Sequence, residues 1–139
     1  MKKIQNSFMG NLIYLVLIIA LLTTGSKLIA NHYAQARESF NFSPIYITVV
    51  IIVCYGGIGA LLGLNGLIKA KGSSRIDISR LLLLTLPSFI VSMSYIWAYS
   101  GLFHFNEPIF SYILVNDHIP MISSVIFGFS ITSSINIKK

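Results

Sequence analysis

Four long runs of apolar residues make up most of this chain, and the charged residues lie at or near the ends of these runs. A helix that crosses a bilayer core of about 30 Å needs roughly 20 mostly apolar residues. The runs cover residues 8–30, 44–67, 78–103 and 119–137. Only 10% of the 139 residues are charged, which is far below the share in a typical soluble domain. We therefore predict an all-α integral membrane protein, a single domain (1–139) folded as an antiparallel four-helix transmembrane bundle.

The first two runs carry signals for where their helices begin and end. Apolar residues recur at helical spacing between Leu28 and Phe40, which predicts that the first helix continues beyond the membrane core. Ser43 can cap the second helix, and Pro44 fits its first position, where no backbone N–H donor is needed. Between the third and fourth runs, the segment 108–115 is apolar but too short to span, so we expect it to lie in the membrane interface.

The first run also has some features of a secretory signal peptide. Lys2 and Lys3 precede it, and Ala34-Gln35-Ala36 resembles a cleavage site. That site lies too far beyond the apolar centre of the run for an ordinary signal peptide, and three further apolar runs follow. We therefore interpret the run as a true membrane span.

The basic residues predict how the spans are oriented. Eight of the ten fall on the side of the N-terminus, the second loop and the C-terminus: Lys2, Lys3, Lys69, Lys71, Arg75, Arg80, Lys138 and Lys139. Only Lys27 and Arg37 fall on the opposite side. Because cytoplasmic loops carry an excess of lysine and arginine, we predict that both termini lie in the cytoplasm. A multi-pass protein of the bacterial cytoplasmic membrane is the expected localisation.

Glycines in the second span are spaced by three, four and three residues, which places them on one helical face: Gly56, Gly59, Gly63 and Gly66. Such a face allows another helix backbone to approach closely, which is how helices associate within lipid. Two interpretations follow from this pattern. The face packs against another span of the same chain, or it forms an interface between copies of the chain.

Hydroxyl side chains form a stripe along the third span, at spacings of three or four residues: Thr85, Ser88, Ser92, Tyr95 and Tyr99. Hydroxyls in hydrocarbon need partners, either carbonyls of their own helix or groups on a neighbour. The stripe therefore indicates packing against the serine-rich fourth span or, alternatively, the lining of a pathway or cleft for small solutes. Pro87 lies within the same span and predicts a kink there.

Residues with metal-binding side chains are expected together on the outer side: His32, His104, Glu107, Asp117 and His118. Imidazole and carboxylate groups bind divalent ions, and histidine changes its charge near neutral pH. A metal or pH sensor is therefore one hypothesis. Because these residues come from separate segments and match no metal-binding signature, polar residues at the headgroup boundary are the simpler interpretation.

Catalytic and cofactor motifs are not recognised in the sequence, and no ionisable residue falls in the central part of any span, where coupled transporters carry one. The formal charge of +6 sits at the ends of apolar runs and not on one folded face, which argues against nucleic-acid binding. We predict a non-enzymatic protein without a cofactor that acts in the lipid bilayer through helix–helix contacts, as an accessory subunit or homo-oligomer. A passive channel or carrier lined by the hydroxyl stripe and an outer-face metal or pH sensor are the alternatives.

Overall fold

Helices account for most of the structure, a computed structural model that describes residues 2–68, 73–76, 78–101 and 108–138. The elements in chain order are α1 (Lys2–Ser39), α2 (Pro44–Val50), a π-helical segment π1 (Ile51–Tyr55), α3 (Gly56–Ile68), β1 (Ser73–Ile76), α4 (Ile78–Arg80), a second π-helical segment π2 (Leu81–Thr85), α5 (Leu86–Ser92), α6 (Ser94–Tyr99), α7 (Pro108–Val115), α8 (His118–Ser133) and β2 (Ile135–Lys138). The prediction of an essentially all-helical chain is confirmed. The two short strands are an addition to it.

Two stretches are long and apolar enough to cross a membrane by length and composition, Met9–Ser39 with 31 residues and Pro44–Leu64 with 21. In the regions of the third and fourth predicted spans, the apolar helical stretches are shorter, at Leu81–Ser92 and His118–Ser133. α1 continues to Ser39, as the helical spacing predicts, and it ends where Phe40 adopts a left-handed conformation with φ of 54°. Ser43 then caps α2 through its side-chain oxygen, and Pro44 occupies the first turn, as predicted.

Two longer helical stretches each contain one π-helical segment: the second helix, made of α2, π1 and α3, and the third helix, made of α4, π2, α5 and α6. In the second helix, π1 joins α2 to α3 without a break in direction at the segment's caps, which keep right-handed helical backbone angles. In the third helix, π2 directly precedes the turn that contains Pro87, so the proline, which lacks an N–H donor, stands in the first turn of α5. A second interruption, which the sequence did not predict, lies at Met93, where φ is −90° and ψ is 13°.

α3 and α8 lie side by side. Their contacts advance toward the C-terminus along both helices, which shows that the two run in the same direction. Gly56 lies near Ser124, Gly59 near Val125 and Phe129, and Gly63 near Thr132. The second helix, through α3, and α8 thus form the central pair of the fold. α1 packs against π1 and α3 on one side of this pair, while π2 and α5 pack against α8. A buried apolar cluster that includes Ile47, Ile51 and Ile58 lies in the centre.

A two-stranded antiparallel ribbon closes one end of the molecule. β1 pairs with β2 from Ser73 opposite Lys138 to Ile76 opposite Ile135. The predicted fourth span, 119–137, differs from the structure here, since α8 ends at Ser133 and the following residues are extended. The physical reason is visible in the sequence, because Ile135 and Ile137 alternate with polar residues, which is a strand period and not a helical one.

Candidate functional site

The glycine face of the second helix is occupied by α8. A methyl group added at Gly59 would collide with the Val125 carbonyl, and one added at Gly63 would collide with the Thr132 side chain. Facing them from α8, Gly128 lies so close to the Gly56 carbonyl that it too has no room for a side chain. The contacts of these three glycines support the intramolecular interpretation of this face. Gly66 lies within α3 as well.

Hydroxyl groups on α5 and π2 are used for packing within the molecule. Ser88 donates to the Leu84 carbonyl and Ser92 to the Ser88 carbonyl, each at 2.5 Å, and both side chains are buried. Thr85 forms a 2.8 Å hydrogen bond with Ser130 on α8. Bonds to helix carbonyls and to a neighbouring helix are those expected of hydroxyls that pack in lipid. These contacts favour the packing interpretation of the stripe over a solute pathway.

The two tyrosines of the stripe have different surroundings from the serines. Tyr99 is 76% exposed. Tyr95 is buried, and its hydroxyl donates to Oδ1 of Asp117 at 2.5 Å. Tyr33 of α1 donates to the same oxygen at 3.0 Å, and the two tyrosine hydroxyls are 3.4 Å apart. One carboxylate thus connects α1, α6 and the start of α8 at the end of the molecule opposite the ribbon.

A cleft of about 560 Å³ opens beside this carboxylate, between α1 and the central pair of helices. Its lining is mostly apolar, with a few polar groups from different helices: Leu22, Ser26, Ile29, Ala30, Tyr33, Tyr55, Asp117, His118, Met121, Ile122 and Val125. Two turns of α1 away from Tyr33, the Ser26 hydroxyl forms a 3.2 Å hydrogen bond with the Tyr55 hydroxyl. An apolar cleft with a few convergent polar groups is the usual form of a small-molecule site, and we take it as the candidate functional site.

The residues predicted to bind metal are placed differently from one another. His104 and Glu107 lie outside the described residues. Nε2 of His32 accepts a 3.1 Å hydrogen bond from the backbone N–H of Ser43, and its ring lies against Tyr46 at a centroid distance of 4.9 Å. Asp117 and His118 both line the cleft. Within residues 2–68, 73–76, 78–101 and 108–138, no three His, Cys, Asp or Glu side chains are grouped so as to hold a metal ion.

The sequence contained every member of the tyrosine–aspartate cluster but assigned them to three separate features. Tyr33 was expected as part of the helical stretch between Leu28 and Phe40, Tyr95 in the hydroxyl stripe and Asp117 in the metal hypothesis. The contribution of Tyr55 and Ser26 to a cleft was missed, because neither residue belongs to a periodic pattern. One signal was present: Asp117 lies two residues before the apolar run 119–137, where a carboxylate at a helix end can face the bundle.

Comparisons with protein families, curated proteins and solved structures find no match for this chain.

Proposed function

We propose that this chain is a multi-pass protein of the bacterial cytoplasmic membrane, with four spans and both termini in the cytoplasm. It acts without catalysis, through contacts between helices, as an accessory subunit or homo-oligomer. The observation that carries this proposal is the bare surface of α1. In the most apolar 18-residue window of Met9–Ser39, 11% of the residues are buried, against 56% in that of Pro44–Leu64.

The bare surface of α1 is apolar over several turns. Each of these residues is more than 40% exposed: Met9, Leu12, Ile13, Leu15, Val16, Leu17, Ile19 and Leu22. A soluble monomer rarely exposes so large a continuous apolar surface, so lipid or another helix must cover it. Gly10 lies on this helix, where an added methyl group would have no atom within 4 Å, and Asn11 beside it is exposed. Small and polar residues on an apolar helix are typical of contacts between membrane helices.

The two shorter apolar helical stretches belong to the proposed four spans because α8 packs against α3, and π2 and α5 pack against α8. α8 has 16 residues and a length of about 24 Å, less than the bilayer core of about 30 Å. It is held along α3 by close backbone contact, so it occupies the same layer as a helix that is long enough to span. A bilayer adjusts to a short span by local thinning, at a modest cost.

The proposed orientation is supported by where the basic segments come together. β1 contains Arg75, β2 contains Lys138, and their pairing holds both segments at one end of the molecule. α1 runs antiparallel to α3, with Asn11 beside Leu62 and Ser26 beside Tyr55, so α1 also begins near the ribbon. Three base-carrying segments at one end favour a cytoplasmic location for that end.

Cysteine labelling tests the four spans and their orientation. In a Cys54→Ala background, we expect Val115→Cys to react with an impermeant maleimide added to intact cells, because Val115 is 82% exposed near the end opposite the ribbon. Ser73→Cys, in the ribbon, should react only after the membrane is opened. Reaction of both cysteines from the same side would overturn the four-span topology.

Oxidative cross-linking in native membranes tests the role of α1. In the Cys54→Ala background, a cysteine at Leu17, which is 45% exposed on α1, should form a disulfide with the same cysteine of a second copy if the protein is a homo-oligomer. If it is an accessory subunit, a maleimide-benzophenone attached to this cysteine should cross-link one stoichiometric partner, which needs no cysteine of its own. A cysteine at Leu83, 76% exposed on π2, is the matched control and should remain uncrosslinked. A dimer band indicates a homo-oligomer, and a single co-purifying partner indicates an accessory subunit. No cross-link along several α1 positions would leave lipid as the cover of α1 and contradict the proposal.

A further inference from the structure

The cleft beside α1 contains a carboxylate whose charge is compensated by no basic side chain of residues 2–68, 73–76, 78–101 and 108–138. Oδ1 of Asp117 receives the Tyr33 and Tyr95 hydroxyls. Within the described part of the chain, Oδ2 accepts no hydrogen bond and no Lys, Arg or His nitrogen forms an ion pair with Asp117. Asp117 is partly buried and lines the cleft, so its charge faces the cleft interior and not bulk water alone. A carboxylate in such surroundings favours a cationic partner.

The shape of the cleft adds a second requirement for a ligand. On α1 its lining extends from Leu22 to Tyr33, which are about 16 Å apart along the helix. The lower part is apolar and open to the side, because Leu22 is 47% and Ile122 60% exposed. At the upper end, Tyr33 stands beside Asp117. Tyr55, which is hydrogen-bonded to Ser26 two turns of α1 away from Tyr33, supplies a second aromatic ring to the lining. Aromatic faces attract organic cations, most strongly where water is excluded.

From the uncompensated carboxylate, the aromatic rings and the elongated apolar floor, we propose that this cleft binds a single-chain amphiphilic organic cation, such as a hydrophobic amine or quaternary ammonium compound. The cationic head lies against Oδ2 of Asp117 and the ring of Tyr33. The hydrocarbon tail lies along Leu22, Ile122 and Val125, where the cleft opens to the side. The proposal does not depend on a partner for α1, since the cleft is formed within one chain.

Photo-cross-linking tests the site. The full-length protein is placed in nanodiscs of phosphatidylglycerol, a lipid without a cationic group, at pH 8, where histidine is ordinarily neutral. The probe is a decylamine that carries a photoreactive diazirine in its tail, and decyltrimethylammonium is the competitor. We expect saturable, competable labelling of peptides from α1 and α8. The carboxylic acid with the same chain and diazirine should give no competable labelling.

Two variants and two matched controls decide the outcome. Asp117→Asn removes the charge but keeps an oxygen for the tyrosine hydroxyls, and we expect it to lower competable labelling about tenfold. Ala30→Phe fills the cleft from an exposed position on α1 and should abolish labelling. Glu38→Gln removes an exposed carboxylate at the same end, and Ala34→Phe adds the same ring one turn beyond the lining. Both controls should label as the wild type.

The proposal is overturned if Asp117→Asn labels as strongly as the wild type, or if the acid probe competes equally with the amine. Labelling no greater than in nanodiscs without protein also overturns it. If Asp117→Asn does not elute as a folded species in size-exclusion chromatography, Ala30→Phe decides, because its substitution lies on an exposed position and leaves the tyrosine–aspartate bonds in place.

Discussion

Two helices, α8 and α1, pack against α3 in different ways. α8 approaches until backbone meets backbone, since side chains are missing at Gly59 on one helix and Gly128 on the other. α1 comes close to the second helix at Gly25, where an added methyl would stand 2.9 Å from Cβ of Cys54 in π1, a side-chain contact and not a backbone one. Elsewhere clefts separate α1 from its neighbours, one of about 560 Å³ near Tyr33 and one of about 220 Å³ near Asn11.

This difference divides the molecule into a close-packed part and an open part. In the proposed bilayer, lipid offers no hydrophobic drive for helices to associate, so close van der Waals contact and hydrogen bonds hold the central pair together. The α1 side lacks continuous contact of this kind, and it contains the tyrosine–aspartate cluster and the larger cleft. Binding sites need unfilled space and unsatisfied groups, which a close-packed interface excludes. We therefore expect stability to depend mainly on α8, and binding to depend on α1.

The largest expected effect is at Gly59. Gly59→Ala should destabilise the protein by an amount at the upper end of the roughly 1–3 kcal/mol typical of overpacking, because its methyl would meet the Val125 backbone, which cannot rotate away. Gly57→Ala, on the same helix, is the control, since its methyl would lie an ordinary 3.5 Å from the Leu21 side chain. The free energy of unfolding in mixed detergent micelles measures both. Equal losses in the free energy of unfolding for the two substitutions would contradict the close packing of α3 against α8.

A smaller effect is expected for the hydrogen bond between α8 and π1. Ser124 is buried and donates to the Ile51 carbonyl at 3.1 Å. Ser124→Ala should cost roughly 0.6–2 kcal/mol, the range for hydrogen bonds between membrane helices. Ser123→Ala, one residue earlier on α8, serves as the control, because Ser123 makes no interhelical hydrogen bond in the part of the chain that the structure describes. Thermal unfolding in detergent compares the two. Indistinguishable melting temperatures would show that the bond adds nothing to the glycine contacts.

The smallest effect is expected on the open side, at Gly10. An added methyl there has no neighbour within 4 Å. Gly10→Ala should therefore stabilise the monomer by roughly 0.4–1 kcal/mol, since alanine loses less conformational freedom than glycine on folding. Unfolding in detergent and size-exclusion chromatography are measured together. A clear loss of stability would show that α1 is closely packed after all, whereas a loss of oligomer size would show that Gly10 lies at an interface between chains.

Much of the fold was predictable from the sequence because it depends on neighbouring residues. The extent of α1, the Ser43 cap and the Pro44 start follow from local spacing and from which residues tolerate a helix end. The spacing of Gly56, Gly59 and Gly63 also showed that one face of the second helix permits close approach. The π-helical segments and the turn at Met93 were not predictable in this way, since they reflect the fit of each helix against its neighbours.

Residues within a few turns were enough to locate the apolar helices and the helical face that is free of side chains, because helix formation depends on local periodicity and composition. That α8, running parallel to α3, occupies this face follows from the packing of distant segments. A glycine has no side chain with which to select a partner, so the complementary shape of the neighbouring helix makes the choice. The same holds for the candidate site. Tyr33 is 62 residues from Tyr95 and 84 from Asp117, and no local pattern specifies that their oxygens meet.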